Sequence, residues 1–274
     1  MSIVLHYTVF FLRAVLYTLG PVVLCGLCVE LIRRLFCTFV GGRAGRGVIL
    51  ATSLVGTPVH ELGHAAMCLL FGHKITDMSL WRPASSDGRL GYVTHRYSPR
   101  NPYHQIGNLF IGVGPIFSGL AVVTLCLWAG FPHTLSSYFA SSRALVAQGG
   151  GVFSMLVRGL GMIPQMWREA AAGGRPLWAC VIAVIVILMV SQHISLSPED
   201  IRGAARAIPL YALLLLILTV VVALIGAPAV LTVGAALSLF AGSTMALFIL
   251  VLIASLLQLI PALLVFIIRK IAGR

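Results

Sequence analysis

Long apolar runs separated by short basic or glycine-rich turns dominate the chain: 3–35, 48–71, 105–130, 176–191, 209–226 and 227–268. A hydrocarbon core of about 30 Å takes roughly 17–25 apolar residues in a helix, which most of these runs supply. The last run would be roughly 63 Å long as one helix, twice a bilayer core. The pattern therefore predicts an all-α polytopic membrane protein with six transmembrane helices, or seven if the last run divides near "FAGST". Between the second and third runs the period changes. "KITDMSLW" and "GRLGYVTHRY" are short β-prone stretches around the turn-rich "RPASSDG", which predicts a small β-hairpin within 72–104. Residues 131–175 form a Gly- and Ser-rich connector, in which "VFSMLVRGLGMIPQMW" has the pattern of an amphipathic interfacial helix. The chain thus divides into 1–47, a first span and basic turn; 48–205, a core; and 206–274, C-terminal spans.

Composition agrees with this pattern. Of 274 residues 59% are hydrophobic and only 9% charged, against about 25% charged in soluble domains. Lys and Arg number 19 against 7 Asp and Glu. The basic residues mostly flank apolar runs, as membrane topology and anionic lipid require, and no aromatic–basic cluster suggests nucleic-acid binding. With six spans both termini share the hairpin's side, and the Lys and Arg count favours the cytoplasm for that side. The expected location is the cell membrane. Six cysteines all lie in or beside apolar runs, which argues against a disulfide framework. The first run carries no cleavage signal and reads as a retained anchor.

One apolar run carries chemistry. "TPVHELGHAAMCLLFG" (57–72) contains His60, Glu61 and His64. Two imidazoles four positions apart share one helical face, one turn from each other, and can bind one Zn²⁺. Glu61 beside them is placed to take a proton from a water that zinc has made acidic. Ionisable groups inside a span are costly, and in spans they mark function. A catalytic zinc needs a third protein ligand. Carboxylates are scarce, and only Glu199 and Asp200 lie at the end of another apolar run; the imidazole of His193 is a third candidate there.

At this point the sequence resembles the site-two protease family of intramembrane zinc metalloproteases. "HELGH" in a span, "GVGPIFSG" (112–119) in the next, and a Pro-Asp element at the end of a later one carry the resemblance, over about 48–205. The family's third motif reads Asn-x-x-Pro-x-Pro-x-Leu-Asp-Gly; here "QHISLSPEDIRG" has Gln192 for the Asn, one proline, and Ile201 for the final Gly. The resemblance implies Zn²⁺ held by His60, His64 and Asp200, with Glu61 as general base; from its residue type and place, His193 stays the alternative third ligand. It implies a single-pass membrane protein as substrate, cut within or near the bilayer. It also implies that the hairpin, with Gly91, Tyr92 and Val93, offers an edge strand to the unwound substrate, where an ordinary extramembrane hairpin is the alternative. Asn108 is a candidate for holding substrate backbone or for bonding a neighbouring helix. The connector is too short for the PDZ domain that some relatives insert.

Other classes remain open from the residues alone. A transporter or channel would use intramembrane His and Glu for ions or protons, although no internal repeat is visible. An inactive zinc-binding scaffold would hold membrane clients without turnover. A chambered peptidase of prenylated proteins also uses H-E-x-x-H, but lacks the Gly-Pro and Pro-Asp elements.

Overall fold

A computed structural model describes residues 3–83, 88–149 and 151–271. In chain order the elements are α1 (Ile3–Val40), α2 (Gly42–Leu70), β1 (Lys74–Ser79), β2 (Tyr92–Arg96), α3 (Pro102–Gly130), α4 (Pro132–Ala147), α5 (Val152–Ala171), α6 (Leu177–Ser191), α7 (Pro198–Ala205), α8 (Ile208–Ile225) and α9 (Ala227–Ile271). The class is all-α with one two-stranded antiparallel hairpin. Among the described residues four helices, α1, α3, α8 and α9, are long and apolar enough to cross a membrane. Two runs read as spans fall short of that measure for opposite reasons. The HELGH residues and flanking glycines and threonines dilute the hydropathy of α2, while α6 is apolar but only 15 residues long. Apolar side chains left exposed on α8, among them Leu213, Ile217 and Leu224, are those a lipid-facing helix presents.

Several expectations change. The 131–175 connector is helical: α4 and α5 occupy most of it. The amphipathic pattern of α5 buries Met155, Gly159 and Met162 and leaves Phe153 and Trp167 exposed. The last apolar run continues through "FAGST" as one helix of 45 residues. That helix runs beside α1 in the same direction. Phe10 lies against Gly234, the Phe39 and Phe266 rings are 5.5 Å apart, and Arg269 Nη1 donates to the Val40 carbonyl at 2.8 Å.

A parallel first and last helix puts Ile3 and Ile271 at opposite ends of the pair, not on one side as six crossings require. The cause lies in α6–α8. Measured against α3, this stretch retraces it once. Cys180 bonds the Gly130 carbonyl, Ile194 packs on Gly119, Ala204 packs on Gly112, and Ala207 and Tyr211 cluster with Leu109 and Phe110. The run of α6 and the start of α8 therefore follow α3 in one direction, and the parallel pairing of α1 with α9 does not give the even count on which cytoplasmic termini rest.

The core lies where α2, α3 and α6 meet α1 and α9. Ile116, Val123, Val190, Phe248 and Val251 are its most buried members. The α2–α3 crossing is backbone on backbone. A Cβ at Gly63 would lie 2.6 Å from the Gly114 carbonyl oxygen, and one at Gly114 would lie 2.6 Å from that of Gly63. Small residues permit such approaches between apolar helices.

The hairpin does not project away from the helices. At the end of α2, Gly72 takes φ 69° and His73 N–H bonds the Cys68 carbonyl, which reverses the chain. β1 then runs back along α2 until Trp81 Nε1 donates to Ser53 Oγ at 3.0 Å. Ser53 precedes Leu70 by about 26 Å of helix. β2 returns beside β1, with a bulge between Ile75 and Asp77. The hairpin is therefore a layer against α2, with Trp81 level with the first half of that helix.

Candidate metal centre

His60 and His64 project from α2 on one face, as their spacing demands, and Asp200 comes to them from α7. His60 Nε2 and His64 Nε2 are 3.2 Å apart. His64 Nε2 is 3.2 Å from Asp200 Oδ1, and His60 Nε2 is 3.9 Å from Asp200 Oδ2. The three ligand atoms all fall within 4.8 Å of one another, close enough to hold a metal ion. A tetrahedral ion with bonds of about 2.0–2.1 Å holds its ligand atoms about 3.3 Å apart. The Nε2–Nε2 separation and the His64–Oδ1 separation match that edge, while His60 lies nearer the other carboxylate oxygen, Oδ2.

The hydrogen bonds on the far side of each ring decide which atoms face inward. His60 Nδ1 is 2.7 Å from the His193 carbonyl, and His64 Nδ1 is 2.7 Å from the Ile111 carbonyl. A carbonyl only accepts, so both Nδ1 atoms carry a proton, and in its neutral form each ring turns a bare Nε2 toward the carboxylate. Two lone pairs and a carboxylate facing one another repel unless a cation lies among them. The donor set thus fits a divalent metal by number, distance and protonation.

Each support has a local cause in the sequence. Pro115 lacks the N–H that would otherwise bond the Ile111 carbonyl within α3, so that oxygen is available to His64. The Gly63–Gly114 contact brings the two helices near enough for the bond to form. "GVGPIFSG" therefore works as a unit: a glycine for approach and a proline for a spare acceptor. Asp200 is fixed by a capping box at the start of α7. Ser197 N–H donates to Asp200 Oδ2 at 2.8 Å, and Asp200 N–H donates to Ser197 Oγ at 3.1 Å.

His193 supplies a carbonyl to His60, while its own Nε2 lies 3.0 Å from Thr52 Oγ1, away from the cluster of ligand atoms. The imidazole packs on Gly56, where any Cβ would strike the ring. Glu199 pairs with Arg89 at 3.3 Å and with Arg202 at 3.9 Å, tying the hairpin loop to α7 across the centre.

The three ligands share a cavity of about 480 Å³ with Glu61, Asn108, Gly91, Tyr92 and Val93. Glu61 is buried, and the backbone of Gly91 covers it: a Cβ there would lie 2.7 Å from Glu61 Cγ and 2.9 Å from Oε1. Only glycine lets the strand approach so closely. The Asn108 side chain has no hydrogen-bond partner among the described residues; it lines the cavity and does not bond a neighbouring helix.

Two further lining residues are not among the site residues that the sequence suggests. Gln192 is 1% exposed, and neither polar atom of its amide has a partner. His95 lies on β2 two and four positions beyond Val93 and Gly91, on the same side of the strand. A period-two count from Gly91 would have suggested His95. The signal for Gln192 is its place where the motif noted in the sequence has an Asn.

Comparison with known protein families, characterised proteins and solved structures finds no match to this chain.

Proposed function

We propose that the chain is an intramembrane zinc metalloendopeptidase of the site-two protease type, hydrolysing a peptide bond of a single-pass membrane protein within or near the bilayer. The observation that carries this reading is Glu61 in one cavity with a His60–His64–Asp200 donor set, under an exposed strand edge. Two imidazoles and a carboxylate suit zinc, leaving a fourth position for chemistry. Zinc there would supply a Lewis acid, polarising the scissile carbonyl and making water acidic near neutral pH.

The protein's own groups do the rest. Glu61 takes a proton from the attacking water as its oxygen bonds the carbonyl carbon. It gives that proton to the amide nitrogen as the C–N bond breaks, so a carboxylate and an amine result. β2 has a strand partner on one edge only among the described residues, and Tyr92 and Val93 line the cavity. An unwound substrate segment pairs along the open edge by β-addition. The Asn108 and Gln192 amides, both short of partners, offer it further hydrogen bonds. Burying an amide without partners costs about 1–3 kcal/mol, so a peptide or ordered water there is favoured.

The test uses purified protein in bicelles with a fluorescein-labelled Leu/Ala-rich single-span peptide broken by a central Gly-Pro. Wild type cleaves it and Glu61→Gln does not, while both carry equal zinc. Zinc without turnover in wild type would support the scaffold reading instead, and wild type without zinc would leave the transporter reading.

A further inference from the structure

His95 faces the cavity of the metal centre through a chain of hydrogen bonds that fixes where its proton sits. His73, 3% exposed at the end of α2, has Nε2 2.8 Å from the His104 carbonyl. That oxygen only accepts, so His73 Nε2 carries the proton and Nδ1 is an acceptor. His73 Nδ1 is 2.9 Å from His95 Nδ1, which must therefore donate. His95 is left with the proton on Nδ1 and a bare Nε2. No described residue bonds that Nε2, and the ring lines the cavity. Tyr97 stacks on His73 at 4.8 Å and 13°, and His104 Nδ1 accepts from Ser98 N–H, so the chain is held on both flanks.

Position along the strand gives the arrangement its use. Gly91 sits on Glu61, and His95 is four residues further on, about 13 Å at 3.3 Å per residue. A group there is too far from Glu61 to take part in bond breaking, yet within reach of a peptide lying along β2.

We propose that His95 Nε2 is a dedicated acceptor for a backbone N–H of the extended substrate, several residues from the bond that is cut, and that His73 is the positioning residue that sets its tautomer. This rests on the proteolytic reading above. Loss of the acceptor weakens binding of a peptide but not of a ligand confined to the metal.

The experiment compares two probes on the zinc-loaded full chain: acetohydroxamate, which reaches only the metal, and a peptidyl hydroxamate of four residues, which also extends along the strand. His95→Leu should weaken the peptidyl probe about tenfold, the loss of one hydrogen bond, and leave acetohydroxamate unchanged. His95→Gln, which keeps an acceptor, should recover most of the affinity. His73→Leu frees the tautomer and should cost about threefold, since only part of the population presents the acceptor. Unchanged peptidyl affinity in His95→Leu overturns the proposal, as does equal weakening of both probes, which would mean damage to the metal centre. Failure of the wild type to bind either probe would sink the metal reading first and this inference with it, at a point distinguishable from His95.

Discussion

Two histidine groups flank the end of α2, and they are wired in opposite ways. In the first, His60 and His64 each give their Nδ1 proton to a backbone carbonyl, so two bare Nε2 atoms converge on Asp200. In the second, His73 gives its proton to a carbonyl but accepts from His95, so the rings form a line and not a focus. No carboxylate belongs to it among the described residues. The lesson is that imidazoles in contact do not make a metal site. Convergent lone pairs with an anion do, and backbone acceptors decide which arrangement results.

The contrast breaks most sharply at its anion. Asp200→Ala should lower zinc affinity by more than about 100-fold, beyond what loss of an outer-shell partner costs; competition with a chromophoric chelator reads this directly. Next comes the carbonyl behind His64. Pro115→Ala restores an N–H to bond Ile111 within α3, and zinc affinity should fall about 10–100-fold, although the substituted side chain touches no ligand. Unchanged affinity there would show that the carbonyl's availability does not matter.

A smaller effect concerns the hairpin. Gly91→Val puts a side chain where Glu61 and Thr57 already sit and should destabilise docking of β2 by about 1–3 kcal/mol, read as faster amide exchange in 91–96. Acid should loosen the same layer. Burial holds His73 below the ordinary imidazole value, against its bond to the His104 carbonyl. Burial and the neighbouring His73 and His64 do the same to His95. Both pKa values are depressed in the folded state, so the stabilisation is complete above about pH 6.5 and is lost as pH falls below it. Exchange of β1 and β2 amides should rise between pH 7 and 5. Least of all, His73→Gln should leave zinc content unchanged, which separates the two groups cleanly.

What the sequence made legible follows from which interactions are local. His60, Glu61 and His64 declare themselves because one helical turn puts them together, and Asp200 stood out because so few carboxylates border apolar runs. His193 was weighed as a ring, but what it gives His60 is a carbonyl, and every residue has one. His95 is legible only as the period-two neighbour of Gly91, because it reaches the cavity when the hairpin folds back along α2 to Trp81 and Ser53. The direction of the α6–α8 path is not legible in the sequence for a similar reason. Hydropathy reports that a run is apolar, not whether two runs continue one path. The Gly-rich connector misled too, since α4 and α5 gain their stability from packing on α9 and from Glu169, which accepts from the His133 and Thr134 N–H groups at the start of α4.

The His60–His64–Asp200 focus is close enough to hold a metal ion. Elemental analysis of the purified full chain beside His64→Ala tests most directly whether it does. The wild type should carry about one zinc per chain, as a three-ligand centre with one open position binds, and the variant almost none. Equal metal in both, or none in the wild type after reconstitution with zinc, would contradict the metal reading.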